Sequence, residues 1–154
     1  MATALQTRIA TAVSLALLVP LGVTALYYSP HAFSSRTHAT TSFVDNCTRP
    51  PGYILVVADT GGFNGSASHG APATPWPTII VASGTMVNLL VCNLDLVQAH
   101  GFVIDHYFVE GVNMNPGNGY KISFVARDTG VFRIYCYVFC TVHKVMFSQL
   151  LVVV

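Results

Sequence analysis

The chain has 154 residues, of which 53% are apolar and only 8% charged, with a formal net charge of +1. That balance excludes the basic footprint of a nucleic-acid binder, and the length suffices for one domain plus a short extra element. Charge stays scarce beyond the N-terminal apolar stretch, with six basic and six acidic side chains over residues 35–154, so partner subunits are expected to cover part of the surface.

Ile9 to Tyr28, IATAVSLALLVPLGVTALYY, contains no charge and matches the roughly 20 residues a bilayer-crossing helix needs. Pro20 would kink such a helix tolerably, and Tyr27 and Tyr28 suit the membrane interface. A cleaved signal peptide is the alternative, but its apolar region usually spans about 7–15 residues and ends at a small-x-small site, which is lacking after Leu26. Ser29 to Ser42, rich in Ser, Thr, His and Ala, reads as a linker from membrane to domain. The expected organisation is therefore an anchor and the start of a linker over 1–34, a linker over 35–52 and a β domain over 53–154.

In that domain short β-branched runs alternate with turn signals, the pattern of an all-β sandwich. Strands are expected at Tyr53–Ala58, Thr78–Val81, Thr85–Asn93, Gly101–Ile104, Tyr120–Val125, Val131–Tyr137 and Met146–Val154, with turns at Gly84, Pro116-Gly117 and Thr129-Gly130. In the third of these, Val87, Leu89 and Val91 alternate with Met86, Leu90 and Cys92, so both faces are apolar, as in a strand packed on both sides. Gly61 to Pro77 reads as a long loop. No helix beyond the anchor is expected, and seven or eight strands suit a Greek-key sandwich.

The chemistry concentrates near the C-terminus. Cys136, Cys140, His143 and Met146 fall within eleven positions, ahead of a last apolar strand. Thiolate, imidazole and thioether form a soft donor set that favours copper, whereas methionine adds nothing to a zinc tetrahedron. Joined to a histidine from a neighbouring strand, such a loop describes an electron-transfer copper centre. Two plainer readings stand beside it: a Cys136–Cys140 disulfide, and a structural zinc held by His100, Cys136, Cys140 and His143.

The stretch PGNGYKISFVARDTGVFRIYC, Pro116 to Cys136, resembles the segment that leads into the metal loop of subunit II of haem-copper oxidases. Upstream, Thr78 to Gly84 is similar to that family's strand-and-glycine lead-in, followed here by Asp95 and by His100-Gly101-Phe102. The resemblance covers Tyr53 to Val154, and a single anchor is similar to the compact B-type subunit II. It implies a cupredoxin-like Greek-key β-sandwich preceded by one transmembrane α-helix, holding dinuclear copper (CuA). Cys136 and Cys140 would bridge both coppers, and His100 and His143 would each give one imidazole. Met146 and the Val138 carbonyl would be the weak ligands. The implied partners are a haem-bearing oxidase subunit I, other membrane subunits, and an external donor, either a cytochrome c or a small blue copper protein. The implied place is a prokaryotic cell membrane with the C-terminal domain on the outer face.

Cys140-Thr141-Val142-His143 spaces cysteine and histidine by two residues where that family has three, and Asp95 lies five residues before His100 rather than three. Cys-x2-His-x2-Met is instead the spacing of amicyanin-like mononuclear blue copper proteins. A membrane-tethered carrier with type 1 copper at His100, Cys140, His143 and Met146 is therefore the alternative, with Cys136 a bystander. A quinol-oxidase subunit keeping the fold without metal is a third class, against which the retained donors argue. Val138 stands where many such subunits have an acidic residue beside magnesium, so no magnesium site is expected. Among the remaining residues, His31, His38 and His69 read as solvated and His106 as a residue close to the metal or to a partner. Cys47 and Cys92 either pair or leave Cys92 as a buried apolar residue, and Trp76 reads as loop packing.

Overall fold

The computed structural model describes residues 39–69 and 74–154. Within them, runs too short and too β-branched for helices form ten strands: β1 (Thr40–Val44), β2 (Ile54–Asp59), β3 (Gly62–Phe63), β4 (Thr78–Ala82), β5 (Thr85–Asn93), β6 (His100–Ile104), β7 (Phe108–Met114), β8 (Gly119–Ala126), β9 (Gly130–Tyr135) and β10 (Phe147–Val153). Single 3-10 turns lie at Ser66–Ser68 and His143–Val145. The strands make two five-stranded sheets, ordered β1-β8-β5-β2-β3 and β4-β10-β9-β6-β7. Pairing is antiparallel except for β2 with β5 and β4 with β10. The expected all-β sandwich is what forms.

Val87, Leu89, Val91, Ile122 and Phe124 of the first sheet share one core with Phe102, Ile104, Ile134, Leu150 and Val152 of the second. β5, flanked by β8 and β2, is buried on both faces from Leu89 to Asn93, whereas Met86 near its start is exposed. Two-sided burial thus holds for the half of β5 that leads to His100. A disulfide joins Cys92 to Cys47 across a sequence separation of 45, which in a chain-entropy account stabilises the fold by about 4 kcal/mol.

Three strands escape the sequence pattern. β1 lies inside the stretch read as linker; it pairs with β8 from Thr40↔Ser123 to Val44↔Gly119, yet as an edge strand it is mostly exposed and shows no apolar alternation. β3 is a two-residue pairing inside the expected long loop. β7 buries only its ends, Phe108 and Met114, around an exposed Val109 and Glu110. The apolar stretch Ile9–Tyr28, read as an anchor, lies outside the described residues, among which no helix is long and apolar enough to cross a membrane.

Candidate metal centre

His100 opens β6 and Cys136 follows the last residue of β9; because β6 and β9 pair through Val103↔Tyr135, both emerge at the same end of the sandwich. Gly101 allows the close approach there: a Cβ on it would stand 2.6 Å from the Tyr137 ring and 3.0 Å from the Tyr137 nitrogen. Its N–H donates to Cys136 Sγ at 3.2 Å. The loop from Cys136 to Met146 then closes between β9 and β10, its neck formed by Tyr135↔Phe147 and by the Cys136 N–H on the Met146 carbonyl. Ser66, fully buried, supports the returning arm: its hydroxyl donates to the Val145 carbonyl and accepts from the Phe63 N–H.

His100 is fully buried with Nε2 3.2 Å from Asp95 Oδ2, and its Nδ1 has no hydrogen-bond partner. A buried polar atom left unpaired costs about 1–3 kcal/mol and calls for an explanation. With Nε2 taken by the carboxylate, Nδ1 is the nitrogen left over for a ligand, the arrangement found in metal-binding imidazoles. The donor atoms of His100, Cys136 and Cys140 all lie within 4.8 Å of one another. Both cysteines are buried and free, so the disulfide reading of this pair is not what forms. Cys140 Sγ lies 3.6 Å from Met146 Sδ, and Cys136 Sγ lies 3.1 Å from the Val138 carbonyl.

His143 is placed differently. Its Nδ1 is 3.1 Å from the same Val138 carbonyl, and it stands outside the mutually close set of His100, Cys136 and Cys140. Five of the six expected residues therefore converge through direct contacts, and the sixth is tied to them through Val138.

Electrostatics prepare the site for a cation. Backbone N–H groups of Val97 and Gln98 donate to Asp95 Oδ1 at 2.9 and 3.1 Å and hold its carboxyl below the ordinary value of 3.8, with His100 adding to this. Burial, then the neighbouring Cys136 thiol, pushes the Cys140 thiol up to about 11. At neutral pH without metal that thiol keeps its proton, and only a bound cation makes the thiolate favourable. Two thiols, a free imidazole nitrogen and a thioether fit a soft transition metal and do not fit calcium or magnesium.

Sequence reading missed the polar supports. Asn93 Nδ2 donates to the Gln98 and Met114 carbonyls while its Oδ1 accepts from Asp95 N–H, and Gln98 bonds Thr141 across the two loops. Only burial of an Asn at a strand end signals the first, and it is invisible before folding. His106 is not close to the candidate ligands: it lies beyond the far end of β6 from His100 and pairs with Asp128. Trp76 packs on Phe147 with ring centroids 5.0 Å apart, as expected for a loop anchor. His69 contacts the Pro75 carbonyl, and His31 and His38 lie outside the described residues.

No known protein-family profile matches the chain. Curated nitrous-oxide reductases of Cupriavidus necator and Ralstonia nicotianae are 35% and 34% identical to it over 85 residues, 53% of this chain. The chain spans only 13% of the length of those relatives. Among solved structures, a chain of a heme-copper terminal oxidase dimer gives a TM-score of 0.52 at 16% identity, covering 96% of this chain and 99% of that one. The periplasmic domain of cytochrome oxidase subunit II from Bradyrhizobium japonicum gives 0.52 at 17% identity over 70% and 87%. Auracyanin from Roseiflexus castenholzii gives 0.51 at 14% identity over 69% and 100%. A chain of a terminal oxidase, the periplasmic domain of an oxidase subunit II and auracyanin thus share one backbone plan with this chain, and the described residues form a cupredoxin-like β-sandwich.

Proposed function

We propose that this chain is the electron-accepting subunit II of a membrane haem-copper terminal oxidase. It takes electrons one at a time from an external cytochrome c or small blue copper protein at a dinuclear copper centre, and passes them to haem in subunit I. The observation that carries this reading is a fully buried His100, its Nδ1 without a partner, whose ring nitrogen and the sulfurs of two free, buried cysteines lie within 4.8 Å of one another. Cys136 and Cys140 would hold the copper through their thiolates, His100 and His143 through imidazole, and Met146 and the Val138 carbonyl would be weaker donors. Bound there, copper would supply a one-electron redox couple. The chain's own part is rigidity: Asp95 fixes the His100 ring, Gly101 N–H fixes Cys136 Sγ, and Ser66 holds the returning arm of the loop. His143 would join the set only by giving up its contact with the Val138 carbonyl. Oxygen chemistry belongs to the partner subunit.

The donor meets an apolar face. Phe139 is 95% exposed and lines a surface depression of about 560 Å³ together with Gln98, Cys140, Thr141, His143 and Lys144; Leu96 and Val97, just before Gln98 in the chain, are 91% and 83% exposed. With Lys144 the sole fixed charge in that lining, electron uptake depends weakly on ionic strength; rates that collapse with added salt contradict this. The Cys47–Cys92 bridge suits an oxidising compartment, which supports a domain on the outer face of a prokaryotic membrane, tethered by the expected Ile9–Tyr28 anchor. Nitrous-oxide reduction is not carried over, since the chain covers so small a share of those relatives.

Copper analysis and electron paramagnetic resonance of the purified 154-residue chain test the reading. Two coppers per chain, with hyperfine structure spread over two nuclei, are expected. The second reading, a tethered type 1 carrier, draws on the 3.6 Å Cys140–Met146 contact and the Cys-x2-His-x2-Met spacing. It predicts one copper per chain and a Cys136→Ser variant that stays blue.

A further inference from the structure

We infer that Gln98 is a positioning residue, a latch that joins the His100 segment to the Cys140 segment and keeps the metal donors assembled. The inference rests on the copper reading above and adds a residue that the donor set does not contain. Both ends of the Gln98 amide engage one residue: Nε2 donates to Thr141 Oγ1 and Oε1 accepts from Thr141 N–H, each at 2.8 Å. Thr141 is the immediate neighbour of Cys140, so the latch acts one peptide away from a donor sulfur.

The latch is anchored at its own base. Gln98 N–H donates to Asp95 Oδ1, and the Gln98 carbonyl accepts from the buried Asn93 Nδ2 at 2.7 Å. The other oxygen of Asp95 holds His100 Nε2. One carboxylate therefore fixes the imidazole on one side and the latch on the other, and the position of the Cys140 loop is set relative to the His100 ring. Burial cannot do this at the loop tip, because Tyr137 and Phe139 are exposed. Donors mounted on two separate segments need such a cross-tie to stay preorganised.

Four variants of the 154-residue chain test this: Gln98→Leu, Gln98→Glu, Thr141→Val and, as a remote control, Asn88→Ala, which removes the Ser123–Asn88 side-chain bond on the first sheet. Copper release to a strong chelator is expected to be about tenfold faster in Gln98→Leu, which loses two hydrogen bonds, and about threefold faster in Thr141→Val. Gln98→Glu keeps an acceptor for Thr141 N–H and is expected within about threefold of the parent. Asn88→Ala is expected to release at the parent rate. In the metal-free chain, amide exchange at Thr141 accelerates in Gln98→Leu and stays slow in Thr141→Val. Release from Gln98→Leu at the parent rate, or from Asn88→Ala as fast as from Gln98→Leu, overturns the latch and leaves the copper reading intact. If the parent chain takes up no copper, the proposed function falls instead. The latch is then decided by exchange alone, faster at Thr141 in Gln98→Leu sustaining it and unchanged exchange overturning it.

Discussion

Two histidine–aspartate pairs flank β6, and they are opposites. At one end His100 and Asp95 stand 3.2 Å apart with side chains 0% and 3% exposed; just past the other, His106 and Asp128 stand 2.7 Å apart, 48% and 65% exposed. The closer pair is the ordinary one. His106 stacks on Phe132 at 5.4 Å and meets the Tyr107 ring edge-on, in a turn where its own φ is +71°. Water satisfies whatever its ring leaves unpaired. At the buried end water has no access, so the free Nδ1 of His100 remains a standing cost until a ligand takes it. What separates a candidate ligand from a surface pair here is burial combined with an unsatisfied atom, and contact distance alone points the wrong way.

Substituting both histidines puts the most strain on that contrast. His100→Ala is expected to weaken copper binding by more than about 100-fold, beyond the roughly 10–100-fold cost of losing a supporting group. His106→Ala should leave copper affinity within about twofold and cost under about 1 kcal/mol of stability, the usual worth of an exposed pair. Competition with a chelator of known affinity reads both. Equal losses from the two variants would dissolve the distinction.

The carboxylates extend the test at smaller scale. Asp95→Asn is expected to lower copper affinity about 10–100-fold by freeing the His100 ring, while Asp128→Asn leaves it unchanged. Asp95 has a second signature in acid. Its carboxyl is held below 3.8 by the Val97 and Gln98 amides. Its stabilising contribution is therefore complete above that value and is lost as pH falls through the lower folded value. Urea midpoints of the metal-free chain should fall below about pH 4, and Asp95→Asn should lack that part of the fall.

How far this contrast was readable beforehand differs between its halves. The candidate cluster is legible because two cysteines, a histidine and a methionine so close along one loop are unusual, and Thr85–Asn93 is legible to the residue because β-branched alternation bounded by turns is a strong local signal. The expectation that His106 lies close to the metal fails because proximity along the chain to His100 says nothing about which end of a strand a residue occupies. β1 and β7 were missed because edge strands bury one face weakly and so write little pattern into the sequence. Asn93, Gln98 and Ser66 were silent for another reason: a polar residue that bonds across loops is indistinguishable in sequence from a solvated one.

Proton release on metal loading sharpens the comparison further. The Cys140 thiol, at about 11, is protonated at pH 7, so binding as thiolate must expel its proton. Apparent copper affinity then rises about tenfold per pH unit from this group alone until pH approaches that value. Loading in a weakly buffered indicator solution measures the protons released. Cys140→Ser should release about one proton fewer, and His106→Ala should release as many as the parent. A pH-independent affinity would mean that Cys140 does not bind as thiolate.

The smallest expected effect concerns what holds the exposed end together. Tyr107 is buried there; its hydroxyl donates to the Asp128 carbonyl at 2.7 Å and accepts from the Asp128 N–H at 2.9 Å. Its ring stacks on Phe124 at 4.9 Å. Tyr107→Phe keeps that packing and removes both hydrogen bonds, for a loss of about 1 kcal/mol, limited because Asp128 is open enough for water to replace part of what is lost. Copper binding should not change. Thermal or urea unfolding of the metal-free chain should rank Tyr107→Phe as more costly than His106→Ala, because the hydroxyl's bonds lie partly out of water whereas the histidine pair is screened by it. The reverse ranking would mean that the exposed pair carries structural weight despite its hydration. Burial would then lose its authority as the criterion that sets His100 apart from His106.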